Sequence, residues 1–138
     1  PRETFEQLQA FVRANFDRLQ TIWVHDWLIY AFVRCRSGRW HIDDEPTMLY
    51  RQHGRNEIGA NSGWRAAMSR LRRVRSGDYR RDILAIADLL GESADVVEAV
   101  RRLTVRDRLR LVLGVRECRR RLSDCLALCL FFVLMPRD

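Results

Sequence analysis

Val24-His25-Asp26-Trp27-Leu28 and, further on, Asp43-Asp44-Glu45-Pro46-Thr47-Met48-Leu49-Tyr50-Arg51-Gln52-His53-Gly54 are the stretches on which the fold turns. Asp26 opens an apolar segment, Trp27–Val33, that reads as a buried helix ending near Arg36, where Ser37-Gly38 breaks it. Before it, Thr21–Val24 is β-branched and aromatic and fits a short strand or a turn. After it, Arg39–Ile42 and Thr47–Arg51 are short extended candidates separated by the polar turn Asp43-Asp44-Glu45-Pro46. A short β-hairpin is therefore expected around 39–51. Residues 52–62 hold too much Gly and Asn for a helix and read as a loop.

Outward from this segment the pattern is helical. Phe5, Leu8, Phe11, Val12, Phe16 and Leu19 recur at helical spacing and predict an amphipathic helix over 3–19. Ser62 is placed to cap a helix over 63–75, which Ser76-Gly77 interrupts. Ile83, Leu84, Ile86, Ala87 and Leu90 make an apolar face that ends at Gly91. Ser93 is expected to cap a short helix to Leu103. Thr104 and Asp107 resemble a capping box with Asp in place of Glu. Gly114 is expected to stop the next helix, and Val115–Leu134 reads as one last helix. The fold class is α+β, predominantly α-helical.

The chain has 138 residues, 47% hydrophobic and 31% charged, which is globular chemistry and argues against a disordered chain. All 25 basic residues are Arg, and the net charge is +7. Residues 1–62 carry none of that excess, which belongs to 63–81 and 101–121. An Arg-rich helical nucleic-acid-binding module is one reading, with Arg65, Arg70, Arg72, Arg73 and Arg75 on one helix. These helices carry few aromatics or amides for reading bases, which disfavours nucleic acid. A peripheral contact with an anionic membrane is another, because Arg119–Arg121 lies just before the apolar run Cys125–Met135. That run is too short to span a bilayer. The plainer alternative is that Leu126, Leu130, Val133 and Leu134 cover an apolar face of the domain. Cys118, Cys125 and Cys129 lie on one helical stripe without a nearby His. They read, with Cys35, as reduced, buried apolar thiols in a cytosolic setting and not as a zinc site.

Asp26 sits where a carboxylate can project from a rigid element into a cleft and take a proton from a hydroxyl, although from residue types alone the N-cap of the helix is the commoner role. Arg51 offers a planar fork for diphosphate oxygens, and His53 a ligand for a divalent metal. Gly54 and Gly59 allow close approach of backbone to a ligand. The competing reading is a solvated loop with Arg51 paired to Asp43, Asp44 or Glu45. Trp23, Trp27 and Trp64 read as core or cleft walls, and Met135 as a packing residue.

Taken together, His-Asp-Trp followed at this spacing by Asp-x-Glu-Pro-x-x-x-Tyr-Arg-Gln-His-Gly-x-Asn-x-x-Gly-Ala-Asn resembles the C-terminal portion of bacterial family-2 glycosyltransferases, in the rhamnosyltransferase-like branch. The resemblance covers residues 20–75 and continues weakly beyond. It implies the C-terminal half of a GT-A α/β fold and inverting transfer from a nucleotide-sugar to a hydroxyl on a glycan or lipid-linked acceptor, in cell-surface polysaccharide synthesis. Asp26 matches the general base, with His25 and Trp27 shaping the acceptor side. Arg51, Gln52 and Asn56 match the donor-diphosphate segment, with His53 as the contact to a divalent Mg or Mn. Residues 1–75 would form the acceptor-side, catalytic-base portion and 76–138 a helical tail. The family's nucleotide-binding half and its Asp-x-Asp motif have no counterpart here, so the chain is expected to be a fragment, inactive alone. The expected setting is cytoplasmic, at the inner face of the plasma membrane.

Overall fold

The computed structural model describes residues 2–40, 64–118 and 121–137, and the side chains of 64–66 are left aside. The expected β-hairpin around 39–51 lies almost wholly outside these residues. Among the described residues the structure is mostly helical, and none of them is in a strand.

The first apolar pattern forms two helices, not one. α1 (Arg2–Ala14) ends at Asn15, whose Nδ2 donates to the Phe11 carbonyl at 2.9 Å, and α2 (Phe16–Leu19) follows. A side-chain amide that bonds the backbone competes with helix continuation, which the hydrophobic spacing alone does not register. Thr21–Val24 is a turn in which Ile22 and Val24 are buried. It feeds α3 (His25–Cys35), which buries Leu28 and Phe32 but leaves Trp27, Ile29 and Tyr30 exposed, so the apolar run Trp27–Val33 is a half-exposed helix and not the buried one expected. α3 closes with the Ser37 N–H on the Arg34 carbonyl and the Gly38 N–H on the Val33 carbonyl, a Schellman arrangement. Ser37 takes the left-handed conformation at φ 58°. Glycine is required one place later, because a Cβ on Gly38 would sit 2.7 Å from the Val33 carbonyl oxygen.

α4 (Trp64–Arg75) and α5 (Asp78–Leu90) follow, separated at Ser76-Gly77 as expected. Gly91 ends α5 in the left-handed region at φ 66°. α6 (Asp95–Arg102) has Ala94, not Ser93, at its N-cap, with no side-chain cap. Its C-cap is Leu103, at φ 45°. Burial of that side chain to 1% exposure offsets a conformation that leucine rarely adopts. α7 (Val105–Leu113) opens with the Thr104–Asp107 capping box, complete in both directions.

The last predicted helix is two elements. α8 (Val115–Cys118) and α9 (Leu122–Leu134) are distinct, and Arg121 before α9 is extended. The cysteine stripe dissolves with it. Cys125 is buried and Cys129 half-buried, whereas Cys35 and Cys118 are exposed. The reading of all four as buried apolar thiols therefore holds for Cys125 alone. Leu126, Leu130 and Val133 are likewise exposed, so they do not cover a face of this domain. Met135 is buried, as expected of a packing residue.

Two hydrophobic clusters hold the helices together. One joins Ala99, Val100, Leu103, Leu111 and Met135, with Ile83 and Leu84 of α5 packed on it. The other joins Ile22, Val24, Leu28 and Ile86, and Phe11 packs on it from α1. Helix ends buried against these clusters are closed by arginines. Arg80 donates from Nε to the Val100 carbonyl at 3.1 Å and from Nη2 to the Arg101 carbonyl at 2.8 Å. Arg108 reaches the carbonyls of Phe132, Val133 and Met135 at the end of α9. Orphan carbonyls at a helix end need such donors, so part of the basic composition is internal wiring.

Candidate functional site

The first turn of α3 carries His25, Asp26 and Trp27. Val24 is the N-cap residue, its carbonyl accepting the Trp27 N–H at 3.1 Å, and no side chain caps the helix. Asp26 is therefore not the N-cap. It stands one residue inside the helix, exposed, where the positive end of the helix dipole favours a carboxylate. Its neighbours diverge. His25 borders a groove of 260 Å³ between α1–α2 and α3, walled by Phe16, Leu19 and Leu28. Trp27 borders a different one, a 220 Å³ apolar groove between α3 and α5 that runs to Cys35 and Glu92.

Aromatic contacts fix Trp27. Its ring stacks on Tyr79 at 5.6 Å between centroids and 24° between planes. Tyr79 in turn meets Phe131 of α9 at 5.8 Å. Trp23, one turn earlier, lies under the Arg73 guanidinium at 3.7 Å from its ring centroid. Both tryptophans are 38% exposed, so they are cleft walls and not core. A 410 Å³ cleft opens beside them, lined by Thr21, Trp23, Arg73, Tyr79, Arg81 and the carboxylates Asp78 and Asp82. Arg81 is paired with Asp78.

Asp82 is the residue that sequence reasoning missed. It is 4% exposed, on α5, and accepts hydrogen bonds from the backbone N–H groups of Trp23 and Val24. Those two amides immediately precede the His25-Asp26-Trp27 turn, so Asp82 anchors the entry to it. Burial pushes the Asp82 carboxyl up, and the two amide bonds and the Arg81 charge oppose that rise. A signal for it was present: Asp82 lies one turn before Ile86, on the apolar stripe of α5, where an unpaired carboxylate is costly.

Arg51, Gln52, His53 and Asn56 lie outside the described residues, as do Asp43, Asp44 and Glu45. Among the described residues no group of three or more His, Cys, Asp or Glu side chains is gathered to hold a metal ion. No helix among them is long and apolar enough to cross a membrane.

No known family profile matches the sequence, and no solved structure matches it. The chain is 35% identical over 133 residues to the dTDP-rhamnosyl transferase RfbG of Shigella flexneri. That match takes in 96% of this chain but 46% of the relative, so the chain spans about half the length of the protein it matches. Across nearly all of its own length, then, this chain is similar to a sugar transferase.

Proposed function

We propose that this chain carries the acceptor-side portion of a glycosyltransferase. The enzyme would move a rhamnose-like sugar from a nucleotide-diphosphate donor to a hydroxyl on a glycan or lipid-linked acceptor. It would act in polysaccharide synthesis at the cytoplasmic face of the cell envelope. Residues 1–75 supply the catalytic base, and 76–138 form a supporting helical tail. The observation that carries this reading is the similarity to a rhamnosyl transferase over 96% of the chain.

Asp26 acts as general base. Its carboxylate takes the acceptor hydroxyl proton while that oxygen bonds to the anomeric carbon and the bond to the diphosphate breaks, with inversion. An exposed carboxylate in the first turn of α3 suits the task, since the buried Leu28 and Phe32 fix the helix and the acceptor can reach its exposed side. Trp27, held by Tyr79, offers an aromatic wall of the kind on which sugars stack. Arg51, Gln52 and Asn56 are assigned to the donor diphosphate. A bound Mg or Mn would neutralise charge growing on the leaving diphosphate. The ligand assigned to that ion is His53.

The test replaces the matching segment of the Shigella protein with this chain and measures transfer from dTDP-rhamnose. Turnover is expected. Asp26→Asn should lower it by about 10²–10⁴-fold while donor binding persists. Full turnover in that variant removes Asp26 as the base.

A further inference from the structure

Two neighbouring helices hold aliphatic side chains in water where a folded chain ordinarily hides them. On α9, Leu122, Leu126, Leu130 and Val133 recur along one face and are 55–68% exposed. On α7, Val105, Leu109 and Leu113 do the same at 59–81%. The helices pack on each other. They run antiparallel, because Leu103, just before α7, packs with Met135, just after α9, and Arg108 in the first half of α7 bonds the last carbonyls of α9. Scattered exposed leucines need no explanation, but aligned stripes on adjacent helices do.

The charges around these stripes decide what covers them. Arg106 and Arg110 adjoin the α7 stripe, and Arg116 and Arg121 stand between the two helices in sequence, all exposed. Glu117 and Asp124 are the exposed acids among the described residues of α7–α9, so the surroundings are net cationic. A protein groove would match the leucines. An anionic bilayer matches the leucines and the arginines together, with acyl chains beneath a sheet of negative headgroups. α9 has 13 residues, about 20 Å of helix at ~1.5 Å per residue. It is too short for a hydrocarbon core of about 30 Å and suited to lying in the interface.

We infer that α7 and α9 form a membrane-docking face whose partner is an anionic phospholipid surface, with the leucine stripes at the acyl boundary and the arginines among the headgroups. This rests on exposure and charge in the tail and is independent of the role of Asp26.

The test is flotation of the chain with vesicles of phosphatidylcholine, with and without phosphatidylglycerol. Binding to the anionic vesicles and little to the neutral ones is expected. Leu126→Gln with Leu130→Gln, both already in water, should leave the circular dichroism unchanged and lower partitioning about tenfold or more. Leu113→Gln is a second, separate probe of the α7 stripe. Arg106→Gln and Arg110→Gln should each weaken anionic binding about fivefold at low salt. Failure to float with anionic vesicles overturns the inference. So does equal flotation of the leucine variants, or a soluble dimer that those variants dissociate, since a second copy would then cover the stripes.

Discussion

Replacing Asp82 by alanine should loosen the entry to the His25-Asp26-Trp27 turn without touching the turn itself. The carboxylate accepts the Trp23 and Val24 N–H groups from a position that is 4% exposed. Leaving one amide without its partner costs about 1–3 kcal/mol where water is excluded. Val24 is buried, but Trp23 borders the open cleft, where water can replace part of the lost bond. Removing a poorly hydrated carboxylate returns some of the cost. The net loss is about 2 kcal/mol. With a urea dependence of about 2 kcal/mol per molar for a chain of this size, the midpoint should fall by about 1 M. Urea unfolding followed by tryptophan fluorescence reads this directly. Asp82→Asn supplies the second arm. Burial raises the carboxyl above its ordinary value of 3.8, so folding favours the protonated form. The cost of ionisation is fully present above the folded pKa and is relieved as pH falls through it towards 3.8. The stability difference between the native chain and Asp82→Asn should therefore shift in favour of the native chain as pH falls through that window. An alanine midpoint within about 0.2 M of the native one, or a pH-independent difference for Asn, would refute the anchoring role.

Two further outcomes are expected. Thr104→Ala should cost about 1 kcal/mol, because the hydroxyl accepts the Asp107 N–H at 3.2 Å and its loss opens the capping box; thermal melting checks it, and an unchanged melting temperature would show the cap contributes nothing. Partial desolvation of the largely exposed Cys35 raises its thiol pKa, and a contact to Glu92 at 3.5 Å raises it further. Alkylation of Cys35 at pH 8 should therefore be slow and should accelerate in Glu92→Gln, with mass spectrometry locating the adduct; an unchanged rate would remove Glu92 as a cause.

What was legible in the sequence was mostly local. Gly91, the Thr104–Asp107 box and the break at Ser76-Gly77 are decided by residues within one turn of each other, and the structure places them as read. The errors came where a side chain made its own choice. Asn15 bonds the Phe11 carbonyl and splits a pattern that hydrophobic spacing shows as continuous. Leu103 takes a left-handed cap that glycine usually fills, and only its burial against Val100 and Leu111 explains it. Arg121 leaves the helical path between two apolar stretches that read as one. At the site, the His25-Asp26-Trp27 turn was visible in the sequence, but its support was not. Asp82 stands 56 positions after Asp26; its place on the apolar stripe of α5 signals a buried carboxylate, but nothing local says which amides it bonds. Tyr79 beneath Trp27 is long-range in the same way.

The position of α5 has a mechanical consequence. Ile83 and Leu84 pack into the cluster around Met135, while Ile86 belongs to the cluster around Leu28, and Asp82 and Tyr79 reach the turn before and at Trp27. One helix thus belongs to both cores and to the candidate site. Close-packed interiors transmit strain, so a substitution near Met135 that tilts α5 also displaces the anchor of Trp23 and Val24. The tail therefore limits which sequences the turn can tolerate, although no residue of the tail needs to approach a substrate.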